Sequence, residues 1–162
     1  MNHLYYPDII LRSVNDITPE WMTSHSLKGL FVDLDNTLAG YRANEPNEEV
    51  GSWIKSIRDA GYSIIVLSNA GAKRVAAFCD PLNLPYVAKA HKPKPDALLR
   101  VCEENGLQPE QTAMVGDQIF TDVLSANRAG VKSVIVEPLT RNVLFDFRRN
   151  VLEKKYLTPK KV

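Results

Sequence analysis

A chain of 162 residues, 44% hydrophobic and 24% charged, has the ordinary size and composition of one globular unit. Its net charge of +1 gives no overall pull toward nucleic acid, although residues 141–162 hold seven Lys/Arg against Asp146 and Glu153. No apolar run approaches the ~20 residues of a membrane span, and no cationic N-terminal segment leads into an apolar stretch, so a cytoplasmic protein is expected.

The first 26 residues read as an irregular extension, apart from Thr18-Pro19-Glu20, where Pro at the first helical position starts a short helix. Lys28-Gly29 leads into Leu30-Phe31-Val32-Asp33-Leu34, an apolar run suited to a buried strand. Pro46-Asn47 opens a helix whose apolar positions Val50, Trp53, Ile54 and Ile57 keep helical spacing, and Gly61 ends it as a left-handed cap. Tyr62 to Leu67, rich in β-branched residues, is a second buried strand. A helix from Ala72 to Cys79 is closed by Pro81, and a brief strand over Tyr86-Val87-Ala88 precedes the loop His91-Lys92-Pro93-Lys94-Pro95. Pro95 begins a helix reaching Gly106. Thr112 to Val115 reads as a strand, Thr121 to Ala129 as a helix, Val131 to Val136 as a strand, and Arg141 to Tyr156 as a closing helix. Cys79 and Cys102 lie in helical segments and, like His3, His25 and His91, lack metal-ligand spacing, so they read as reduced filler without a zinc site.

This alternation predicts an α/β fold: a three-layer α/β/α Rossmann-like arrangement, with a parallel sheet of about five strands and helices on both faces. One domain over 1–162 is expected, with its core at about 27–140, an N-terminal extension over 1–26 and a basic C-terminal helix over 141–162. In such sheets ligands sit beyond the carboxyl ends of the strands, and chemistry-bearing residues should gather there.

They do. The first strand ends in Asp33-Leu34-Asp35-Asn36-Thr37. Carboxylates two residues apart point the same way on an extended chain, and their repulsion is costly unless a cation lies between them or one is protonated. Taken alone, the motif is equally a polar turn. The second strand ends in Ser68-Asn69, a hydroxyl and an amide beside a helix start, which could cradle an oxyanion or simply cap the helix. The third leads to Lys92-Pro93, where a fixed cation could neutralise a phosphoryl oxygen. The fourth ends in Gly116-Asp117, a common strand end that would supply the third carboxylate Mg²⁺ requires, with Asp122 five residues on, which could instead merely cap the next helix. Each piece is modest, but nucleophile, acid/base, cation and metal carboxylate at four successive strand ends make up the inventory for phosphoryl transfer.

With these residues in view, the sequence resembles the haloacid dehalogenase superfamily, and within it the YqeG-like branch of cap-less phosphatases (subclass III). Asp33-Leu34-Asp35-Asn36-Thr37, Ser68-Asn69, Lys92-Pro93 and Gly116-Asp117 with Thr121-Asp122 match its four motifs. The resemblance extends over Asp16-Ile17-Thr18-Pro19, Lys89-Ala90-His91-Lys92-Pro93, Gly116-Asp117-Gln118, Thr121-Asp122-Val123 and Asn127-Arg128, and covers most of residues 5–150. His91 departs from the Arg or Lys expected there, and the Lys-Pro doubling leaves Lys94 as an alternative to Lys92. The resemblance implies that Asp33 attacks phosphorus, that Asp35 protonates the leaving alkoxide and then activates water, and that Asp33, the Asp35 carbonyl and Asp117 hold Mg²⁺. It further implies that Thr37, Ser68, Asn69 and Lys92 shape or bind the phosphoryl group, and that Asp122 orients Lys92 or a metal-bound water. Asp35 favours phosphate esters over halides.

Asn36 to Pro46 leaves too few residues for a folded cap, so an open site is expected, unless an oligomeric partner covers it. The expected partner is a phosphate-ester substrate, with no nucleic-acid signal. Leu144, Phe147 and Val151, with Phe145 and Leu152 beside them and Arg148, Arg149, Lys154 and Lys155 nearby, form an apolar stripe edged with basic residues. It either packs on the sheet or makes peripheral contact with an anionic membrane. Relatives in this branch dephosphorylate phosphatidylglycerophosphate, which the resemblance offers as substrate. A non-catalytic module binding a protein or RNA would be marked by loss of the nucleophile or the acid, and both are present; a phosphotransferase would differ only in its acceptor.

Overall fold

In a computed structural model the chain is described over residues 3–40, 43–141 and 143–160. Its centre is β2 (Gly29–Val32), in which every residue is buried. A strand with no face toward water needs cover on both sides, and parallel neighbours joined through helices supply it. β2 pairs with β3 (Ser63–Leu67) and with β5 (Thr112–Gly116), so that Phe31 lies opposite Ile65 on one side and Met114 on the other. β4 (Tyr86–Val87) extends the sheet past β3, and β6 (Lys132–Ile135) past β5, with β1 (Ile9–Ile10) on the far edge. The order is β1-β6-β5-β2-β3-β4, parallel throughout.

Alternation along β2 divides the core. Leu30 and Val32 join Val66 and Val115 against Met22, Trp53, Ile57 and Phe78 of α1 (Pro19–Ser24), α2 (Glu48–Asp59) and α3 (Ala72–Cys79). Phe31 joins Ile65, Leu67 and Met114 against Leu98, Val101 and Ala126 of α4 (Asp96–Glu104) and α5 (Leu124–Ala129). The helices begin where the sequence says they should: Thr18 Oγ1 accepts from Trp21 N at 3.1 Å, and Asn47 Oδ1 from Val50 N at 2.8 Å. Gly61 takes φ +91°, as the end of α2 requires.

Three elements differ from the sequence reading. The sheet has six strands rather than about five, because the segment read as irregular contributes β1. Two residues carry no periodicity, and the pairing is made across the whole chain. Asp8 Oδ2 accepts from Ser133 N and Oγ at 2.8 and 3.1 Å, and its Oδ1 from Lys160 Nζ at 2.9 Å. The helix expected from Thr121 starts earlier, as a π-helical turn over Ile119–Val123. The closing helix is α6 (Val143–Phe147), followed by a π-helical stretch, Arg148–Glu153, and a 3-10 turn, Lys154–Tyr156. Residue 142 and the Phe145 side chain lie outside the described residues.

This closing segment docks by its polar and tyrosine side. Glu153 is buried, and the Tyr156 ring lies 5.2 Å from Tyr5 and 6.0 Å from Phe120, between centroids. The apolar stripe faces outward instead, with Leu144, Phe147 and Val151 at 72%, 55% and 59% exposure. No described helix is long and apolar enough to cross a membrane.

Asp8→Ala leaves Ser133 N without its acceptor and removes one of the two acceptors of Ser133 Oγ and of Lys160 Nζ, which keep Asn127 Oδ1. It is expected to cost about 1–3 kcal/mol, read as a shift in the urea unfolding midpoint.

Candidate active site

The sheet's carboxyl edge gathers the residues singled out in the sequence. Asp33 follows β2 directly, its N–H donating to Val115 O at 2.9 Å, which fixes it against the end of β5. Ser68 and Asn69 follow β3, and Asp117 follows β5. Lys92 arrives on the loop after β4. Its backbone is gripped by Asn69, whose Oδ1 accepts from Lys92 N at 2.8 Å and whose Nδ2 donates to Lys92 O at 2.9 Å. Arg128 Nη1 donates to Pro93 O at 3.1 Å on the same loop. Lys92 is buried, whereas Lys94 is exposed on the outer side of the loop. The geometry therefore selects Lys92 as the cation at the strand ends.

Lys92 Nζ donates to Asp33 Oδ1 at 3.0 Å, to Asp122 Oδ1 at 2.7 Å and to Leu67 O at 2.8 Å. Burial works against its charge, but the Asp122 and Asp33 carboxylates outweigh that and push its pKa above the ordinary lysine value. Asp122 Oδ2 accepts from Gln118 N at 3.1 Å, so both of its oxygens are engaged. Gly116 makes that approach feasible: a Cβ there would overlap the Asp122 carboxylate.

Asp117 differs. Its side chain is 0% exposed and neither oxygen accepts a hydrogen bond; Arg148 Nη2 stands 3.5 Å from Oδ2. Oxygens of Asp33, Asp117 and Asp122 all lie within 4.8 Å of one another. Burial first, and then the charges of Asp122 and Asp33, push the Asp117 carboxyl up to about 8 against the opposing Arg148. Burial and Asp122 likewise raise Asp33 to about 7, against the pull of Lys92. Unpartnered buried carboxylate oxygens beside a second carboxylate are the donor set of a hard divalent cation. The chain fits such an ion through Asp33 and Asp117, with Asp122 committed to Lys92.

A cleft of about 210 Å³ opens above these groups, lined by Asp33, Asp35, Ser68, Asn69, Lys92 and Thr121 among others. Asp35 Oδ1 accepts from Arg74 Nη2 at 2.9 Å. Ser68 Oγ accepts from Ala70 N at 3.1 Å, which leaves its own proton to donate. Thr37 is buried off the cleft lining, its Oγ1 without a hydrogen-bond partner. Asn36 adopts φ +63° and holds the loop closed: its N–H donates to Ala39 O at 2.7 Å, and its Oδ1 accepts from Thr140 N at 3.1 Å. Among the described residues, neither the Asp33–Asn47 loop nor Ser68–Gly71 carries an inserted domain over the cleft.

Arg74 escaped the sequence reading, while Gly116, Arg148 and Glu153 were in view there without their part in the site. Arg74 had a readable signal, a cation in the first turn of the helix that starts just past Ser68-Asn69. Gly116 was matched as part of the fourth motif, without the close approach of Asp122 that its missing Cβ allows. Arg148 and Glu153 merged into a basic run in which nothing local marks burial.

A family model for haloacid dehalogenase-like hydrolases matches residues 16–130. The chain is 31% identical over 150 residues to "Probable phosphatase YqeG" of Bacillus subtilis (strain 168), covering 93% of this chain and 87% of that protein. It is 30% identical over 149 residues to "Phosphatidylglycerophosphate phosphatase 1, chloroplastic" of Chlamydomonas reinhardtii, covering 85% of this chain but 53% of that protein. Among solved structures, the cobalt-bound deoxy-D-mannose-octulosonate 8-phosphate phosphatase of Haemophilus influenzae shares the fold with a TM-score of 0.56. Its identity is 19%, over 82% of this chain and 92% of that one.

The raised carboxyls carry a sign. Each holds its proton in the folded, metal-free protein at pH values where the unfolded chain has released it. The stability this contributes is complete below about pH 4 and is lost as pH rises through about 7 to 8. Metal-free protein is expected to melt at a lower temperature at about pH 8 than at about pH 6, by calorimetry, and Asp117→Asn should flatten that slope. A divalent cation should raise the midpoint more at the higher pH.

Proposed function

The chain belongs to the haloacid dehalogenase-like hydrolases and is a phosphatase of that family, and we propose that it hydrolyses a phosphate monoester through an aspartyl-phosphate on Asp33, with Mg²⁺ as cofactor. The observation that carries this reading is the meeting of Asp33, Asp35, Ser68 and Lys92 around one open cleft, with Asp117 buried and unsatisfied beneath it.

Each residue has work suited to its surroundings. The Asp33 carboxylate attacks phosphorus as the ester P–O bond breaks. Asp35, at the cleft mouth and turned by Arg74, gives its proton to the departing alkoxide. It then takes a proton from the water that attacks the aspartyl-phosphate, which releases inorganic phosphate and restores Asp33. Lys92 faces the charge that develops on a phosphoryl oxygen, held in line by Asp122. Ser68 offers its hydroxyl proton to another oxygen, with the N–H groups near Leu34 and Asn69 assisting; Thr37 supports the loop from behind. A divalent ion held by Asp33, Asp117 and the Asp35 carbonyl would supply charge neutralisation at the phosphoryl group and favour ionised Asp33.

For the substrate we propose phosphatidylglycerophosphate. The chloroplastic relative named for that lipid supports this, as does an open cleft in a chain whose closing segment exposes Leu144, Phe147 and Val151 beside Arg149, Lys154 and Lys155. That stripe would make peripheral contact with an anionic lipid surface, and a cytoplasmic location is part of the same proposal.

Asp33→Asn is expected to lower Mg²⁺-dependent hydrolysis of an aryl phosphate by about three orders of magnitude or more, and Asp35→Asn by about 10²–10⁴. Wild-type activity in Asp33→Asn would remove Asp33 as nucleophile. Liposomes carrying phosphatidylglycerophosphate should release phosphate on addition of enzyme and Mg²⁺; no release alongside brisk turnover of soluble esters would remove the lipid from the proposal.

A further inference from the structure

Resting on the divalent-cation site proposed above, we propose that Arg148, anchored by Glu153, is a positioning residue for Asp117, so that the C-terminal segment completes the cation site. Asp117 accepts no hydrogen bond, and Arg148 Nη2 faces its Oδ2 at 3.5 Å. Arg148 Nε in turn lies 3.5 Å from Glu153 Oε1. Glu153 is fully buried, and that same Oε1 accepts from Ile119 N at 3.2 Å. Ile119 is two residues beyond Asp117, so Glu153 is fastened to the very turn that carries the carboxylate. Backbone, Glu153, Arg148 and Asp117 close a ring between that turn and the chain's last segment.

The ring answers two questions that the rest of the site leaves open. A buried Glu is costly unless it is partnered, and here Arg148, the Ile119 N–H and the charge of Arg149 all favour its ionised form. A carboxylate without hydrogen bonds is free to turn, and the guanidinium 3.5 Å from Oδ2 restricts that rotation beside Asp33 and Asp122. Groups that hold a metal-binding carboxylate in place tune affinity as strongly as some ligands do. Arg148 also brings a positive charge near a cation site, which opposes binding, but Glu153 beside it offsets that charge, so orientation dominates. Both residues lie outside the stretch, 16–130, that the family model matches.

The test is cation affinity, measured by titration calorimetry of Mg²⁺ and Mn²⁺ into the full chain without substrate. Arg148→Ala and Glu153→Gln are expected to raise Kd by about 10- to 100-fold, and Arg148→Lys, which keeps the charge but loses the fork, should recover part of that loss. Asn150→Ser, at an exposed position of the same segment, should leave Kd unchanged. Because the coupling is reciprocal, Mg²⁺ should slow amide exchange over residues 148–156 in the wild type and not in Arg148→Ala. Unchanged or tighter binding in Arg148→Ala overturns the proposal, as does an equal loss in Asn150→Ser or the absence of any Mg²⁺ effect on exchange. A wild-type chain that binds neither ion overturns the cation site itself, whereas normal wild-type binding with an indifferent Arg148 overturns only the positioning role.

Discussion

The three hydrogen bonds of Lys92 Nζ hold the strand ends in relation to one another. An ammonium has three protons, and here one goes to Asp33 after β2, one to the last carbonyl of β3 and one to Asp122 ahead of α5. In a buried setting none of these can be surrendered to water, so each element is located by the other two. The loop that delivers the lysine is fixed just as tightly, through the paired hydrogen bonds between the Asn69 amide and the Lys92 backbone. Sheet and loop thereby act as a rigid mount for a small number of polar atoms.

That mount is not built for stability. Three carboxylates within 4.8 Å repel, one lysine cannot satisfy them all, and apolar side chains of equal volume would pack at lower cost. The raised pKa values of Asp33 and Asp117 express the imbalance. Gly116 contributes by omission, since the space a Cβ would fill is where Asp122 sits. Lys92 relieves Asp122 and half of Asp33, and the remaining charge deficit is concentrated at Asp117.

Most of the sheet was legible because β2, β3, β5 and β6 are short apolar runs between helices with clean caps, such as Thr18, Asn47 and Gly61. β1 was not, since two isoleucines after Pro7-Asp8 have no period to read and their partner strand is more than a hundred residues away. The candidate site was legible where chemistry follows a strand end directly, as at Asp33, Ser68 and Asp117. The family motif already favoured Lys92 over Lys94, and the fold adds the physical reason, since Lys92 is buried at the strand ends while Lys94 is exposed. The closing segment was legible in composition alone. Its apolar stripe was visible, but whether Leu144 and Phe147 or Glu153 would face inward depends on contacts with Ile119 and Tyr5 that no local pattern encodes.

The short loops around the cleft mouth have a further consequence. An enzyme with a folding lid dries its own reaction centre, and the substrate need only be recognised. The described loops here carry no inserted lid, so under the proposed mechanism dehydration of the phosphoryl group would fall to whatever arrives with it. A substrate whose bulk extends past the cleft mouth would serve as its own cover, and one that is little more than a phosphate would leave an aspartyl-phosphate bathed in solvent. Selectivity would then come from the size and stickiness of the leaving group, away from the reacting atoms, with the protein surface around the cleft as half of an enclosure that the substrate completes.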